Sequence, residues 1–524
     1  MSHSRLGLTG LAILLMCLAV LAIGWRARRR WSSANDYLNA SRSIPLWAAA
    51  LAFLAYNCGS IEVIGMSAMA AQYGVQALHF YWVGGIPGLI FLGLVAVPVY
   101  MRTGARSLPE YLGMRFGPRV RLLNACVSII GTVCFAGVAL YTIAQVLEVI
   151  AGWGFLRTEL TCAVVVMAYV LAGGVRASIF TSVFQLFVMI AGLAPLVFFT
   201  VRFDAASWAR RAARWHLWKP LPLVSPHASL DCFGVLLGLG FVISFSYWCT
   251  DFVMIQRTLA ARTIEDARKV PLLAGFGKMG IAFLVVLPGV AAPALLHGNF
   301  SFDQSMPALM MLEYGPALLT LGTAALLAGL MAWLAGNVSG FSALWVEEID
   351  RLWLQPGRTE RQYIRAGRLA VPVCLVLAQV TAFAAFRFHD IMEFLQLIVA
   401  LFYAPVFAAV LAGVVSRRTS ERGAFAGICA GIAASLALQA AYWRGLVHFG
   451  SQMNANFYEA ILSFAVAIAA CILARNAAHD GAVAEGCSTL FDADLSRALR
   501  PSRALVLMSA ALFALCLALN LLWW

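Results

Sequence analysis

A carboxylate in the middle of an apolar helix must be protonated, paired or set against water, because leaving it alone in hydrocarbon costs several kcal/mol. Glu62 holds such a position. It follows the run Asn57-Cys58-Gly59-Ser60, which interrupts a 29-residue, mostly apolar stretch from Leu46 to Gly74. Backbone groups freed at an interruption of this kind are intolerable in lipid, but they can serve an ion or a polar solute. Two readings of Glu62 stay open. Either it binds a solute, carries a transferable proton or does both, or it is a neutral acid hydrogen-bonded to a neighbouring helix. A second polar interruption, Ser244-Phe245-Ser246, stands at the midpoint of the stretch 233–255, and Tyr247 and Trp248 follow it. Their rings suit stacking on a solute, with ordinary aromatic packing as the alternative. Lys278 falls about eight residues into the stretch 270–296. Its ammonium either snorkels to water or pairs with a helix-break carbonyl or with Asp251.

The elements that position these groups follow from composition. Of 524 residues, 62% are hydrophobic and only 12% charged, with a mean hydropathy of +0.84. A soluble chain carries about 25% charge because its surface faces water. Most of this surface must therefore face lipid. Apolar stretches of about 20 residues, the length that crosses a hydrocarbon core, recur throughout. Fourteen spans are predicted, approximately 5–25, 45–74, 79–101, 121–150, 158–173, 177–200, 233–255, 270–296, 316–345, 368–386, 390–415, 423–443, 459–475 and 503–523. Arg5 alone precedes the first, whereas Arg26, Arg28, Arg29 and Arg30 follow it, so it reads as a retained helix with its N-terminus outside. Most of the 37 Lys and Arg residues then fall on the cytoplasmic side, and an even number of spans puts both termini outside. The largest exception is the segment 201–232, where Trp208, Trp215 and Trp218 interleave with basic residues. It reads as an amphipathic helix on the outer surface.

The two interrupted spans occupy matching positions in successive halves of five, 45–200 and 233–386, flanked by 1–44, 201–232 and 387–524. Interrupted helices at corresponding points of two halves mark a midplane binding site in a transporter. Close helix packing through small residues is the plainer explanation of either interruption alone. The net charge of +13 collects in short loops, so it sets orientation, and nucleic acid is not an expected partner. The twelve cysteines form no CxxC pair, which leaves no basis for a metal site. Walker, HExxH, GxSxG and dinucleotide motifs are absent, so neither an enzyme nor a bound cofactor is expected.

Over about Trp31 to Trp443 the sequence resembles the sodium:solute symporter family. The resemblance rests on Asp36-Tyr37-Leu38-Asn39-Ala40-Ser41-Arg42, on Ile44-Pro45-Leu46-Trp47 through Asn57 to Ile64-Gly65-Met66, and on Ser107-Leu108-Pro109-Glu110-Tyr111-Leu112 with Arg115-Phe116-Gly117. Gly173-Gly174-Val175-Arg176-Ala177 with Gln185 continues the pattern. The strongest segment is Tyr247-Trp248 followed by Ile255-Gln256-Arg257-Thr258-Leu259-Ala260-Ala261, then Lys278 and Val285-Val286-Leu287-Pro288-Gly289. The resemblance implies an all-α polytopic membrane protein with a LeuT-type 5+5 inverted repeat, one extra helix in front and three behind.

It also implies roles. The family's sodium ion would take carbonyls of Ala55 and Cys58 from the first break, and a carbonyl of Gly329 with two hydroxyls from the eighth core helix. This sequence puts Ala332 and Trp333 where those hydroxyls belong, with Ser339 and Ser342 further along. Thr181 is followed by Ser182 where the family has an acid. A hard cation needs a nearly complete shell of oxygen ligands, so sodium at the usual site is doubtful and a proton at Glu62 becomes the candidate. The resemblance places Asn57, Ser60, Glu62, Tyr247, Trp248 and Gln396 at the solute, with Glu393 on the same bordering helix as Gln396, and His79 and Tyr81 are weaker candidates.

The expected function is secondary transport of a small polar solute by alternating access in a bacterial-type inner membrane. The driving force is left among a proton gradient, facilitated diffusion and sodium at an unconventional site. A sensor or a transport-inactive protein with a symporter fold is the alternative. A carboxylate among aromatic rings suits a polyhydroxylated or amino-bearing solute better than a dianion.

Overall fold

Apolar helices with few charges can satisfy their backbone only internally, and the structure follows that rule. This computed structural model describes residues 3–27, 42–59, 61–201, 217–218, 230–296, 300–388, 390–474 and 499–523. Among them all regular structure is helical, apart from an isolated bridge between Ile44 and Ala261.

The chain runs as α1 (His3–Ala27), α2 (Leu46–Asn57), α3 (Glu62–Arg102), α4 (Leu108–Phe116), α5 (Pro118–Ala151) and α6 (Phe155–Val201). Then come α7 (Gly234–Thr250), α8 (Phe252–Leu259), α9 (Ile264–Leu295), α10 (Ser305–Glu313) and α11 (Pro316–Leu354). The last five are α12 (Glu360–Ala385), α13 (Ile391–Val415), α14 (Glu421–Trp443), α15 (Gln452–Leu473) and α16 (Arg503–Leu522). Ten of the described helices are long and apolar enough to span a membrane, or eleven when the bent pair α7 and α8 counts as one.

The boundaries depart from the sequence expectation where glycine or a capping side chain redirects the chain. The stretch 45–74 is no single helix: α2 stops at Asn57, Cys58 and Gly59 form a turn, and a π-helical turn over Ile61–Gly65 opens α3. Ser60 lies outside the described residues. α3 is 41 residues long, too long for one straight crossing, and a 3₁₀ turn at Gly74–Leu78 divides it. Gly74 has φ of +65° there, a region that favours glycine.

The expected spans 158–173 and 177–200 join in α6, which has 47 residues. Phe155 packs 4.8 Å from Phe386 beyond α12. Arg176 reaches Ser43 at 2.8 Å at the opposite end of the bundle, and Gly192 accepts from Tyr314 at 2.8 Å back at the first. Of α6, Val175–Thr200 is the part long and apolar enough to span a membrane. Most of the expected outer amphipathic segment 201–232 lies outside the described residues. Of it, Leu217 accepts from His79 Nε2 at 2.7 Å and donates to the Trp523 carbonyl at 3.0 Å.

The second bend differs most from expectation. α7 and α8 meet at 56°, with Asp251 between them rather than Ser244-Phe245-Ser246. Asp251 has extended backbone and caps α8, its Oδ1 accepting from Met254 N at 2.8 Å. A short carboxylate at an N-cap favours this break, whereas Ser246 and Thr250 spend their hydroxyls on carbonyls within the helix. Tyr247 and Trp248 therefore precede the bend instead of following it. α8 packs on α2, where Arg257 donates to Ala52 O at 3.4 Å and lies 4.9 Å from the centre of the Tyr56 ring.

Candidate functional site

A cavity of about 60 Å³ lies beside the first break, between α3, α5, α7, α9 and α13. Asn57, Glu62, Tyr81, Tyr247, Trp248, Lys278 and Gln396 supply its polar and aromatic wall. Phe80, Phe135, Met66, Leu239, Met392 and Leu395 close the rest.

Its centre is a buried ion pair. Lys278 Nζ bonds Glu62 Oε1 and donates to Asn57 Oδ1 at 2.5 Å. The Lys278 side chain is 6% exposed and that of Glu62 2%, so the ammonium does not snorkel. Nor does it pair with Asp251, whose Oδ2 accepts from Tyr403 at 3.3 Å. The helix begins at Ile264 rather than near 270, which puts Lys278 in the middle of the 32-residue α9 and level with the first break. The Tyr81 ring centre lies 4.7 Å from Nζ and that of Trp248 5.3 Å, so π-faces complete the shell around the cation. Trp248 Nε1 donates to Gly84 O at 3.1 Å, which fixes the indole across the cavity. Ser244 Oγ and Gln396 Oε1 are buried without a hydrogen-bond partner, a pattern that suits a wall facing a polar guest.

The residues assigned to sodium also meet, but around carbon and sulfur. A Cβ placed on Gly329 would lie 3.1 Å from both Cys58 O and Met189 Sδ, so the break does abut α11 at this residue. Trp333 is fully buried one helical turn further on, 5.5 Å from Phe135 and 6.5 Å from Tyr56 between ring centres. A Cβ on Gly59 would lie 2.9 Å from Trp333 Cγ, which shows how closely the indole fills the turn. Ala55 and Ala332 are buried and add no side-chain oxygen. Ser339 and Ser342 turn elsewhere, to Ala335 O at 2.6 Å and Gly367 O at 2.8 Å, while Thr181 and Ser182 bond carbonyls of their own helix. This oxygen set does not fit a sodium shell.

Two weaker candidates leave the cavity. His79 faces Leu217 and Trp218, and Glu393 lines a different opening. At the head of α13, Asp303 Oδ1 accepts from Ile391 N at 3.1 Å, and burial together with nearby Asp390 pushes the Asp303 carboxyl up to about 8. Sequence reasoning passed over Phe135, Met392 and Leu395, because an apolar residue in an apolar helix carries no local sign that it faces a cavity.

Comparison with known proteins identifies the family and the fold. Residues 37–431 match the sodium:solute symporter family. A sodium/glucose cotransporter of Vibrio parahaemolyticus is 28% identical over 414 residues, covering 72% of this chain and 76% of that protein. A sodium/myo-inositol cotransporter of Canis lupus familiaris is 26% identical over 413 residues, 70% of this chain and 56% of the relative. Among solved structures, a Na⁺-coupled sialic acid symporter in a substrate-bound outward-open state superposes with a TM-score of 0.75 at 17% identity, covering 89% of this chain and 97% of that one. The nucleobase-cation-symport-1 transporter Mhp1 follows at 0.52 and 13% identity, covering 90% and 99%. The fold is LeuT-like, the protein is a multi-pass membrane protein and not an enzyme, and the chain belongs to the sodium:solute symporter family.

Proposed function

We propose that this chain is a secondary carrier that moves a small polyhydroxylated or amino-bearing solute by alternating access around the Glu62–Lys278 cavity, without sodium at the family's usual place. The observation that carries the reading is the buried ion pair held between two halves of the fold, Glu62 just past the first break and Lys278 on α9. A guest offering both hydrogen-bond donors and acceptors can take over the bonds that carboxylate and ammonium make to each other. Tyr81, Tyr247 and Trp248 supply ring faces for its apolar side. Relatives named for glucose and myo-inositol transport favour a polyol.

In this reading the described helices complete a fourteen-span arrangement, with repeats at 45–200 and 233–386, one helix before them and three after, and both termini outside. α2 with α3 and α7 with α8 are then the equivalent broken pairs of an inverted repeat. The outer end is the one carrying Gln72, Arg387 and Trp443, and the inner end carries Arg115, Arg121 and Arg268.

The pair also shapes the coupling. A solute that draws Lys278 away changes the one ion pair that Glu62 makes, so in this reading solute binding acts on the candidate coupling carboxylate directly. The test is uptake of labelled glucose and myo-inositol into liposomes holding the purified protein, under imposed proton or sodium gradients. The reading expects uptake that responds to the proton gradient and is lost in Glu62→Gln. Uptake unchanged in that variant contradicts it.

A further inference from the structure

Two buried carboxylates converge on the N-terminus of α13. Asp390 is its N-cap, and its Oδ1 accepts from Glu393 N at 3.0 Å. Asp303 comes from the 3₁₀ turn Phe302–Gln304 between α9 and α10, and its Oδ1 accepts from Ile391 N at 3.1 Å. Asp390 is 1% exposed and Asp303 3%. Tyr141 on α5 donates to Asp303 Oδ2 at 3.4 Å, whereas Asp390 Oδ2 is buried without a hydrogen-bond partner. Among the described residues no Lys, Arg or His forms an ion pair with either acid.

A helix N-terminus offers the equivalent of about half a positive charge. That can hold one carboxylate ionised, but not two side by side out of water, so one of such a pair keeps its proton. The elements packed on this junction bring Glu62 and Tyr73 on α3, Tyr141 and Glu148 on α5, and Glu393 on α13. None of these is a cation. Glu62 is paired with Lys278, Glu459 on α15 turns to Ser435 on α14, and Arg387, three residues before the cap, is exposed to water. Burial and the neighbouring Asp390 accordingly raise the Asp303 carboxyl to about 8.

The same junction bears on the first break. The Phe302–Gln304 turn packs on the π-helical turn Ile61–Gly65, and a Cβ on Gly65 would lie 2.8 Å from Met392 Sδ and 3.2 Å from Ile391 Cγ2. Met392 and Gln396, further along α13, line the central cavity. We propose that Asp303 and Asp390 form a proton-binding site, and that the one proton they share locks the Phe302–Gln304 turn to the head of α13 beside the first break. Loss of that proton leaves two like charges at one helix end and loosens the junction. The site stands whichever solute or ion the carrier moves.

The test is hydrogen exchange of the purified full chain, followed across the pH range between the two proton affinities and corrected for the chemical exchange rate. Peptides covering the Phe302–Gln304 turn and the head of α13 report the junction. An aspartate in water releases its proton at about pH 4, while the closed junction holds it up to about 8. Opening is therefore favoured as pH rises through that window, by up to about tenfold per pH unit, and levels off above it. Asp303→Asn keeps the acceptor for Ile391 N, and Asp390→Asn keeps the cap. Either variant leaves a single carboxylate, which the helix end holds ionised without a shared proton. The pH-dependent opening should vanish in each, while α14 exchanges as in the wild type, and each variant alone carries the comparison. Wild-type exchange with no pH dependence beyond the chemical rate overturns the site, as does the same pH dependence persisting in a folded variant. Neither result touches the carrier reading, which the uptake experiment tests separately.

Discussion

The turn at Cys58 and Gly59 has two sides that have gone opposite ways. Toward α11 it meets Gly329 and Trp333, where the carbonyls of Cys58 and Gly329 stay close together but Ala332 and Trp333 bring no hydroxyl. Toward α9 it meets Lys278, with Glu62 and Asn57 as partners. One side lacks the hydroxyls expected of a sodium site, and the other holds a side-chain ammonium in a buried ion pair. A freed helix-break carbonyl attracts positive charge whatever its source. The Lys278 ammonium nearby spends its hydrogen bonds on the side chains of Glu62 and Asn57 instead.

Breaking the charged side should have the largest effect. Lys278→Ala leaves Glu62 buried without its partner and should destabilise the folded protein by about 3–5 kcal/mol, with loss of solute binding. The double variant Glu62→Gln with Lys278→Met removes both charges and should recover most of that stability while staying inactive. Thermal unfolding in detergent reads both results, and a double variant no more stable than Lys278→Ala alone would show that the pair is not the source of the loss.

On the apolar side, Trp333→Ala should cost about 3 kcal/mol through the cavity it leaves between Phe135, Tyr56 and the Gly59 turn. The same unfolding measurement checks it, and a change under about 1 kcal/mol would mean that the indole does not fill that space.

The smallest effect belongs to the second bend. Asp251→Ala removes the N-cap of α8 and should cost about 1 kcal/mol, whereas Asp251→Asn, which keeps the acceptor, should cost less. Abolished uptake with Asp251→Asn would instead assign this carboxyl a charge-bearing role.

Much of this was readable from the chain. Charge depletion, span length and the polar run Asn57-Cys58-Gly59-Ser60 located the membrane fold and the first break, because an interrupted apolar stretch has a strong local signature. That Ala332 and Trp333 carry no hydroxyl is a matter of residue identity and is legible in the chain alone. The second bend was misplaced by several residues. Serines inside a helix bond their own i−3 or i−4 carbonyls without breaking it, and the capping Asp251 looked like a charge partner. The partner of Lys278 was also hidden. Glu62 lies 216 positions away in the chain, and only the packing of α9 across the first break brings them together. The helix carrying Gln396 and Glu393 does border the cavity, but its adjacent faces serve two openings, and Glu393 lines the other one.

The most direct test of the account is the thermal stability of the purified protein titrated with sodium at constant ionic strength and fixed pH. A ligand that binds only the folded state raises stability in proportion to the logarithm of its concentration over its dissociation constant. With Trp333 packed against the Gly59 turn and no hydroxyl at Ala332 or Trp333, sodium should stabilise no more than potassium or choline, up to the hundred-millimolar range. A rise specific to sodium that grows with the logarithm of its concentration would contradict the account and return the chain to the coupling mechanism of its family.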